Sequence, residues 1–209
     1  PGPVLIDIPK DVQIAETEYE PASGAQLIPK LSMKHPTAQL RPEGEALERY
    51  KVKAAPRLEQ AAKLIAEAQK PLIYCGGGVI LSGAESELLA FADRVDAPVV
   101  STLMGLGAFP GDDPLWIGML GMHGTFAANR AVTQADVILA VGARFDDRVT
   151  GKLSQFAPNA RIVHIDIDPT TLRKNVRVEV PVVSDALSAL QGLRSSGNWR
   201  RTPFAWEAG

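Results

Sequence analysis

A run rich in glycine and methionine, STLMGLGAFPGDDPLWIGMLGMHG at residues 101–124, is the segment of this chain best suited to hold a ligand. Glycine lacks a Cβ, so backbone amides can approach a bound group closely. Methionine supplies a polarizable, adaptable wall but specifies the shape of a packed core poorly. The run therefore favours binding of a flat, extended organic molecule, and a long surface loop rich in turn residues is the alternative interpretation.

Residues with useful chemistry also follow four predicted strands. These segments are 76–78, 102–107, 142–148 and 166–171. Ligands of an open parallel sheet bind outside the carboxyl ends of the strands, near the point where the strand order reverses. Glycine-rich turns that open a helix can present amides to a pyrophosphate, and the helix dipole attracts negative charge. We therefore predict one crevice in which Arg144 and Arg148 bind phosphate and Asp166 accepts hydrogen bonds from ribose hydroxyls.

The glycine turn does not complete the usual dinucleotide-binding fingerprint. The pattern G-x-G-x-x-G, started at Gly76, requires glycine where Leu81 stands, and the strand that ends at Ser101 has no acidic residue to bind a ribose. An ordinary nicotinamide dehydrogenase is therefore disfavoured. The charged segment GARFDDRVTG at residues 142–151 also has a simpler interpretation, as a solvated loop with internal ion pairs.

The histidines and the cysteine form no metal or nucleophile pattern. His164 alternates with Asp166 and Asp168 on a predicted strand, which is typical of a hydrogen-bonded structural histidine. No two histidines have zinc-ligand spacing and Cys75 has no second cysteine, so we expect no metal site within this segment. A nucleophile elbow and a paired serine and histidine are also missing from the sequence.

Strand and helix patterns alternate along the middle of the chain, which predicts parallel strands joined by right-handed crossovers. The predicted elements are helix 56–69, strand 71–75, helix 84–95, strand 98–101, helix 125–133, strands 137–141, 161–167 and 180–183, and a closing helix that Asp185 caps and that runs through residue 193. The predicted fold is α/β, a doubly wound, Rossmann-like parallel sheet of about six strands.

Composition excludes several classes of function. A formal net charge of −2 with interspersed charges leaves no basic patch for nucleic acid or anionic lipid. No apolar segment reaches the roughly 20 residues that cross a bilayer. A single cysteine cannot form an internal disulfide, so nothing indicates an oxidising compartment. We expect a cytoplasmic protein in a bacterium, or an organellar one in a eukaryote, without nucleic-acid or membrane partners.

The composition also divides the chain into segments. Residues 1–11 are predicted to be the last strand of a preceding domain, and residues 12–55, which contain three X–Pro steps, a linker. Residues 56–194 form the predicted domain. Residues 195–209 are predicted to begin a second linker, with exposed aromatic side chains that a neighbouring domain would cover: Trp199, Phe204 and Trp206.

Four motifs, PGPVLIDIPKD, STLMGLGAFPGDDPLWIGMLGMHGT, ADVILAVGARFDDRVTG and HIDIDP, together resemble the catalytic subunit of the acetohydroxyacid synthase (acetolactate synthase) family of thiamine diphosphate enzymes. The likeness covers nearly the whole chain and is to the central, FAD-binding domain. Residues 1–11 then correspond to the end of the pyrimidine-binding domain, and residues 195–209 to the start of the linker to the pyrophosphate-binding domain. Another thiamine diphosphate enzyme, such as a pyruvate oxidase or glyoxylate carboligase, and a stand-alone nucleotide-binding module are the alternatives.

The resemblance implies which residues contact FAD. The nucleotide portion of FAD would lie beside Gly76, Gly77 and Gly78, and the ribityl chain and ring beside Thr102, Leu103 and Met104. The isoalloxazine would be supported by Leu120, Gly121, Met122 and His123. A second contacting loop contains Gly142, Ala143, Arg144, Asp146, Arg148 and Val149, the adenosine end meets Asp166 and Ile167, and a final contact is made by Asp185 and Ala186.

The resemblance also implies a substrate channel lined by Lys10, Met122, Asp147 and Arg148. Arg148 would face the carboxylate of the incoming 2-keto acid, a role that suits the planar fork of a guanidinium.

The implied reaction condenses two pyruvates to 2-acetolactate, or pyruvate and 2-oxobutyrate to 2-aceto-2-hydroxybutyrate, with loss of CO2, in branched-chain amino-acid biosynthesis. The full enzyme would use thiamine diphosphate, Mg2+ and FAD, the last without net electron transfer. The resemblance implies that the glutamate that activates thiamine lies before Pro1 and that the magnesium ligands lie after Gly209. We therefore expect no catalytic residue and no metal ligand in this chain. On its own, the chain is expected to be inactive. Implied partners are the other domains, a homodimer or homotetramer, and a small regulatory subunit.

Overall fold

The computed structural model describes residues 44–197 and Trp199. Predictions for Lys10, for the strand at residues 1–11, and for Phe204 and Trp206 lie outside the described residues. The helices are α1 (Gly44–Ala66), α2 (Gly77–Leu81), α3 (Glu85–Val95), α4 (Phe126–Gln134), α5 (Asp147–Thr150) and α6 (Ala186–Ser196). The strands are β1 (Pro71–Cys75), β2 (Val99–Ser101), β3 (Trp116–Met119), β4 (Val137–Val141), β5 (Arg161–Asp166) and β6 (Val180–Val183).

The six strands form one parallel sheet with the order β3-β2-β1-β4-β5-β6. The strand order reverses between β1 and β4, which is the topological switch point of doubly wound sheets. Cys75 pairs with Ser101 on one side and with Val141 on the other, so these strands end level with one another. The predicted fold class is therefore confirmed.

Continuous apolar runs explain the central strands, because a strand covered on both faces buries every side chain. All five residues of β1 and all five of β4 are buried. Their side chains alternate between two cores: Ile73 and Cys75 belong to one cluster, and Leu72 and Tyr74 to the other. Helices α1, α3 and α6 contribute to the first cluster, and α4 contributes to the second.

Helix α1 begins earlier than the sequence predicts. It starts at Gly44, inside the predicted linker, and Pro56 lies within the helix and not at its start. Proline usually marks a helix boundary because it lacks an N–H and clashes with the preceding turn. Ala54 and Leu58, on either side of Pro56, are both buried in the first cluster, and this burial favours helix across the proline.

Strand β3 was not predicted. Its residues lie in the glycine-rich run, and Gly118, at φ +110°, breaks the pattern of a regular strand. Tertiary contacts define the strand instead, because it pairs with β2 and the indole Nε1 of Trp116 donates to Ser101 Oγ at 3.0 Å. β3 lies at one edge of the sheet and adds one strand to the five that the sequence predicts.

Trp199 is buried, so the prediction of an exposed aromatic residue is wrong at this position. Its side chain is only 8% exposed, and its ring packs edge-on against Phe91 with the ring centroids 5.4 Å apart. The indole Nε1 donates to the carbonyl of Arg194 at 3.3 Å. The ring of Trp199 therefore packs against α3. Within the described part of the chain, every helix is too short or too polar to span a bilayer.

Candidate functional site

A cavity of about 580 Å³ opens along the carboxyl ends of the strands from β2 to β6. These five adjacent strands are separated by four spacings of about 4.8 Å, so the strand ends that border the cavity span about 19 Å. Its volume is in the range of sites for organic ligands and cofactors. The predicted crevice at the switch point is therefore present, and it is elongated across the sheet.

Most of the predicted site residues line this cavity. They are Gly77, Gly78, Thr102, Leu103, Met104, Gly142, Ala143, Arg144, Asp146, Arg148, Val149, Asp166, Ile167, Asp185 and Ala186. Six others do not line it: Gly76, Leu120, Gly121, Met122, His123 and Asp147. The four segments that follow predicted strands thus meet in one place, whereas the segment 120–123 lies outside the cavity wall.

The glycine turn after β1 is built for contact between backbones. Gly76 N donates to Val141 O at 3.0 Å, and Gly78 N donates to Gly142 O at 3.0 Å. A Cβ added at Gly76 would lie 2.3 Å from Gly142 O, and one added at Gly78 would lie 2.6 Å from Gly142 Cα. These two amides are engaged within the protein, and α2 has only five residues, so the expected row of amides facing a pyrophosphate is not formed here.

The segment 120–123 is tied to the loop that carries Arg148. Met122 N donates to Arg148 O at 2.9 Å, and Gly121 exchanges two hydrogen bonds with the side-chain amide of Asn129. Leu120 is buried, whereas the side chains of Met122 and His123 are exposed. The segment therefore borders the cavity through its backbone and presents Met122 to a surface beside it.

The charged loop combines an internal ion pair with cavity-lining groups. Arg144 Nη2 lies 2.5 Å from Asp146 Oδ2, and the backbone amide of Arg148 donates to Asp146 Oδ1 at 3.2 Å. That amide, the Asp147 side chain and Arg144 hold the pKa of Asp146 below its ordinary value. The ionised Asp146 balances Arg144, and among the described residues Arg148 has no carboxylate within ion-pair distance. The solvated-loop interpretation explains the pair, but it does not explain why both arginines line the cavity.

Phe145 anchors this loop. Its backbone is left-handed, with φ +54°, and its ring is buried with centroids 5.2 Å from Tyr74 and 5.0 Å from His164. Its carbonyl accepts a hydrogen bond from Asn175 Nδ2 at 2.8 Å. The packed ring holds an unfavourable backbone conformation, which directs the flanking Arg144 and Asp146 to the cavity.

Carboxylates line the end of the cavity beyond β5 and β6. Asp166 accepts a hydrogen bond from Asp168 N at 2.9 Å through Oδ1. Asp185 caps α6, as predicted, because its Oδ1 accepts from Ser188 N at 3.0 Å. His164 Nε2 lies 2.7 Å from Ala143 O, which agrees with a structural histidine. The cavity thus has arginines at the β4 loop and acids at its far end.

Two buried polar atoms in the cavity wall have no hydrogen-bond partner among the described residues: Tyr74 OH and Asp185 Oδ2. Buried polar groups are nearly always paired, so each atom indicates a missing ligand group or water. Sequence analysis did not predict five of the lining residues, which are Tyr74, Leu81, Ser82, Ile165 and Ser184, and it included Phe145 and Thr171 only as members of the segments 142–148 and 166–171. Phe145 and Ser184 are next to predicted site residues in the sequence, which is a signal for them. Tyr74 has no such signal, because its position in an apolar run predicts an ordinary core residue of a buried strand.

The strand order and the cavity at the switch point define the class of the chain, which is a doubly wound α/β domain with a cavity at the carboxyl ends of its strands. No three side chains of the usual metal-binding types come together within residues 44–197 or at Trp199.

Comparison with known proteins identifies the family. Residues 58–193 match the family described as thiamine pyrophosphate enzyme, central domain, and the chain therefore belongs to that family. The family relationship predicted from the four motifs is confirmed.

Individual relatives are similar over almost the whole chain. A probable acetolactate synthase large subunit of Methanocaldococcus jannaschii is 50% identical over 92% of this chain and 30% of its own length. The acetolactate synthase large subunit of Corynebacterium glutamicum is 47% identical over 92% of this chain and 28% of its own length. Acetolactate synthase 1, chloroplastic, of Zea mays is 46% identical over 93% of this chain and 28% of its own length. The chain spans about three-tenths of the length of these relatives.

Proposed function

We propose that this chain is the central part of an acetolactate synthase large subunit, a transferase that condenses two pyruvates, or pyruvate and 2-oxobutyrate, with loss of CO2. The observation that carries the proposal is the similarity to proteins of that name from an archaeon, a bacterium and a plant, at 46–50% identity over more than nine-tenths of the chain. Pyruvate oxidase and glyoxylate carboligase share the family but not these names.

We further propose that the cavity binds FAD. The strand ends that border it span about 19 Å, which suits an extended dinucleotide better than a mononucleotide. The charges along it also support this proposal: Arg144 lines the cavity and its guanidinium can contact a diphosphate, and Asp166 and Asp185 can accept hydrogen bonds from ribose hydroxyls or from an adenine amino group. Asp185 Oδ2 is a buried acceptor that such a donor would satisfy.

When bound, FAD would serve as a structural group with no net electron transfer in this reaction. Residues of this chain would bind it and exclude water from it. Leu103 and Met104 line the cavity with exposed apolar side chains, and Thr102 fixes their turn because its Oγ1 accepts from Gly105 N at 3.0 Å. Thiamine diphosphate and Mg2+ would be held by residues outside this chain.

Arg148 is our candidate for binding the carboxylate of the 2-keto acid. It lines the cavity, and its carbonyl holds Met122 N, so the two predicted channel residues lie side by side. Asp147 begins α5 next to them, and Lys10 would complete the channel. A homodimer or homotetramer and a small regulatory subunit are further parts of the proposal. A cytoplasmic or organellar location is also proposed, and relatives from a bacterium and from chloroplasts support that part.

The test is an assay of the full-length protein that contains this chain, with pyruvate, thiamine diphosphate, Mg2+ and FAD. We expect acetolactate as the product; acetate or acetyl phosphate alone would show that the assignment is wrong.

Arg148→Lys keeps the charge but loses the bidentate fork, so the KM for pyruvate should rise. Arg130→Lys, at an exposed position of α4, is the matched control and should leave KM unchanged.

A parallel titration of the 209-residue chain with FAD tests the stand-alone alternative. Weak FAD binding by the isolated chain and tight binding by the full-length protein would support the synthase. Tight binding by the isolated chain, together with an inactive full-length protein, would support a nucleotide-binding module instead.

A further inference from the structure

We propose that the hydroxyl of Tyr74 donates a hydrogen bond to the ligand of the cavity, an inference that rests on the FAD site proposed above. Tyr74 is the penultimate residue of β1, beside the switch point, and its side chain lines the cavity. The residue is only 1% exposed. Its hydroxyl has no partner among the described residues.

The residues around Tyr74 account for the burial of its aromatic ring, but they supply no hydrogen-bond partner for its hydroxyl. The ring packs in the second core cluster and lies 5.2 Å from the ring of Phe145, centroid to centroid. Its neighbours in register on the adjacent strands are Val100 and Ala140, whose side chains offer no acceptor. Phenylalanine would fill the same space without burying an unsatisfied polar group, which is unfavourable in a protein interior. The hydroxyl therefore indicates a polar group that reaches the cavity from outside the described residues.

The protonation state makes the hydroxyl a donor. Burial raises the pKa of Tyr74 well above its ordinary value of 10.0, and the negative charge of Asp146 raises it further. The phenol is therefore neutral at every physiological pH and carries a proton to donate. The ligand group that would complement this proton is a hydrogen-bond acceptor. Because β2 and β4 flank β1 in the sheet, this acceptor belongs to the interior of an extended ligand, which in FAD is the diphosphate and ribityl portion.

Tyr74→Phe removes the hydroxyl and little else. In the full-length protein, freed of flavin and titrated with FAD, we expect the Kd measured by flavin fluorescence to rise about fivefold, as for loss of one net hydrogen bond. The melting temperature of the flavin-free protein should stay the same or rise, because the variant no longer buries an unpaired hydroxyl. The increase in melting temperature on adding FAD should be smaller than in the wild type.

Ser101→Ala is the matched control. Ser101 is buried on the next strand, where its Oγ accepts from Trp116 Nε1 at 3.0 Å and lies 3.3 Å from Cys75 Sγ, and it does not line the cavity. Its loss should lower the melting temperature of the flavin-free protein and leave the FAD Kd unchanged. The opposite pattern for Tyr74→Phe supports the proposal.

Two results would overturn the inference in distinguishable ways. If wild type and Tyr74→Phe bind FAD equally well, the hydroxyl has no role in binding, but the FAD site stands. If the wild-type protein itself binds no FAD, the proposed cofactor is wrong and the role of Tyr74 is rejected with it.

Discussion

Gly78 and Gly142 contact each other through their backbones at the switch point of the sheet. Gly78 N donates to Gly142 O at 3.0 Å, and a Cβ added at Gly142 would lie 2.5 Å from Gly78 Cα. Gly142 also has φ +59°, a conformation that glycine adopts without strain. The turns after β1 and β4 therefore approach closely and together form the middle of the cavity wall.

Gly142→Ala should be much more destabilising than a glycine substitution with backbone strain alone. Gly83 has a similar φ of +63° but nothing within 4 Å of an added Cβ, so Gly83→Ala should cost about 1–2 kcal/mol. Gly142→Ala should cost about 1–3 kcal/mol more, because the new methyl group overlaps the backbone of Gly78. Urea unfolding of the two flavin-free variants measures the difference. Equal costs would show that the two turns are not in close contact.

At Phe145 the glycine variant should be more stable than the alanine variant, which is the reverse of the order expected inside a helix. Phe145→Ala loses a buried ring, which costs about 3–5 kcal/mol. Phe145→Gly loses the same ring but relieves the left-handed backbone, so it should be about 1 kcal/mol more stable than Phe145→Ala. Phe91, equally buried but inside helix α3, is the control: there the glycine variant should be about 1 kcal/mol less stable than the alanine variant. The same order at both positions would contradict the proposed strain.

Asp185 should separate helix capping from ligand binding. Asparagine is a good N-cap, so Asp185→Asn should keep the hydrogen bond to Ser188 N and change stability by less than about 0.5 kcal/mol. It replaces the unpaired acceptor Oδ2 with a donor, so FAD binding should weaken about tenfold or more.

Thr125→Ala is the control for this prediction. It removes the cap of α4, where Thr125 Oγ1 accepts from Ala128 N at 3.1 Å, and should cost about 1 kcal/mol without changing FAD affinity. Unaltered FAD affinity in Asp185→Asn would exclude Oδ2 from the binding site.

Protonation of His164 should make the fold less stable in mild acid. Burial lowers the pKa of His164 below its ordinary value of 6.5, although Asp166, with Oδ2 3.9 Å away, acts in the opposite direction. Between the lowered pKa and 6.5 the unfolded chain binds a proton that the folded chain does not, so stability falls as the pH falls. The slope should reach at most about 1.4 kcal/mol per pH unit.

Chemical unfolding at pH 7, 6 and 5 measures this slope. His164→Gln should reduce it, whereas His123→Gln, at an exposed position, should leave it as in the wild type. An unchanged slope in His164→Gln would assign the acid sensitivity to other groups.

Much of the sheet could be predicted because its strands are locally distinct. The bounds of β1, β4 and β6 agree with prediction, since strands buried on both faces are continuous apolar runs that turn residues interrupt. Asp185 was predicted as a cap from its position before an amphipathic segment. Strand β3 and the start of α1 were not predicted, because Gly118 and Pro56 oppose regular structure locally and only pairing with β2 and burial against the first core cluster override them.

The amino-acid sequence by itself determined the class of fold, the family, and the strand ends that border the cavity, because apolar periodicity, turn residues and motifs are local properties. Only the tertiary structure decided which contacts individual residues make there. Gly76 and Gly78 make contacts between backbones, Tyr74 lines the cavity and carries a buried hydroxyl without a partner among the described residues, and Met122 borders the cavity without lining it. Such roles depend on which atoms of distant segments come within a few ångströms of each other, and no local pattern specifies those distances.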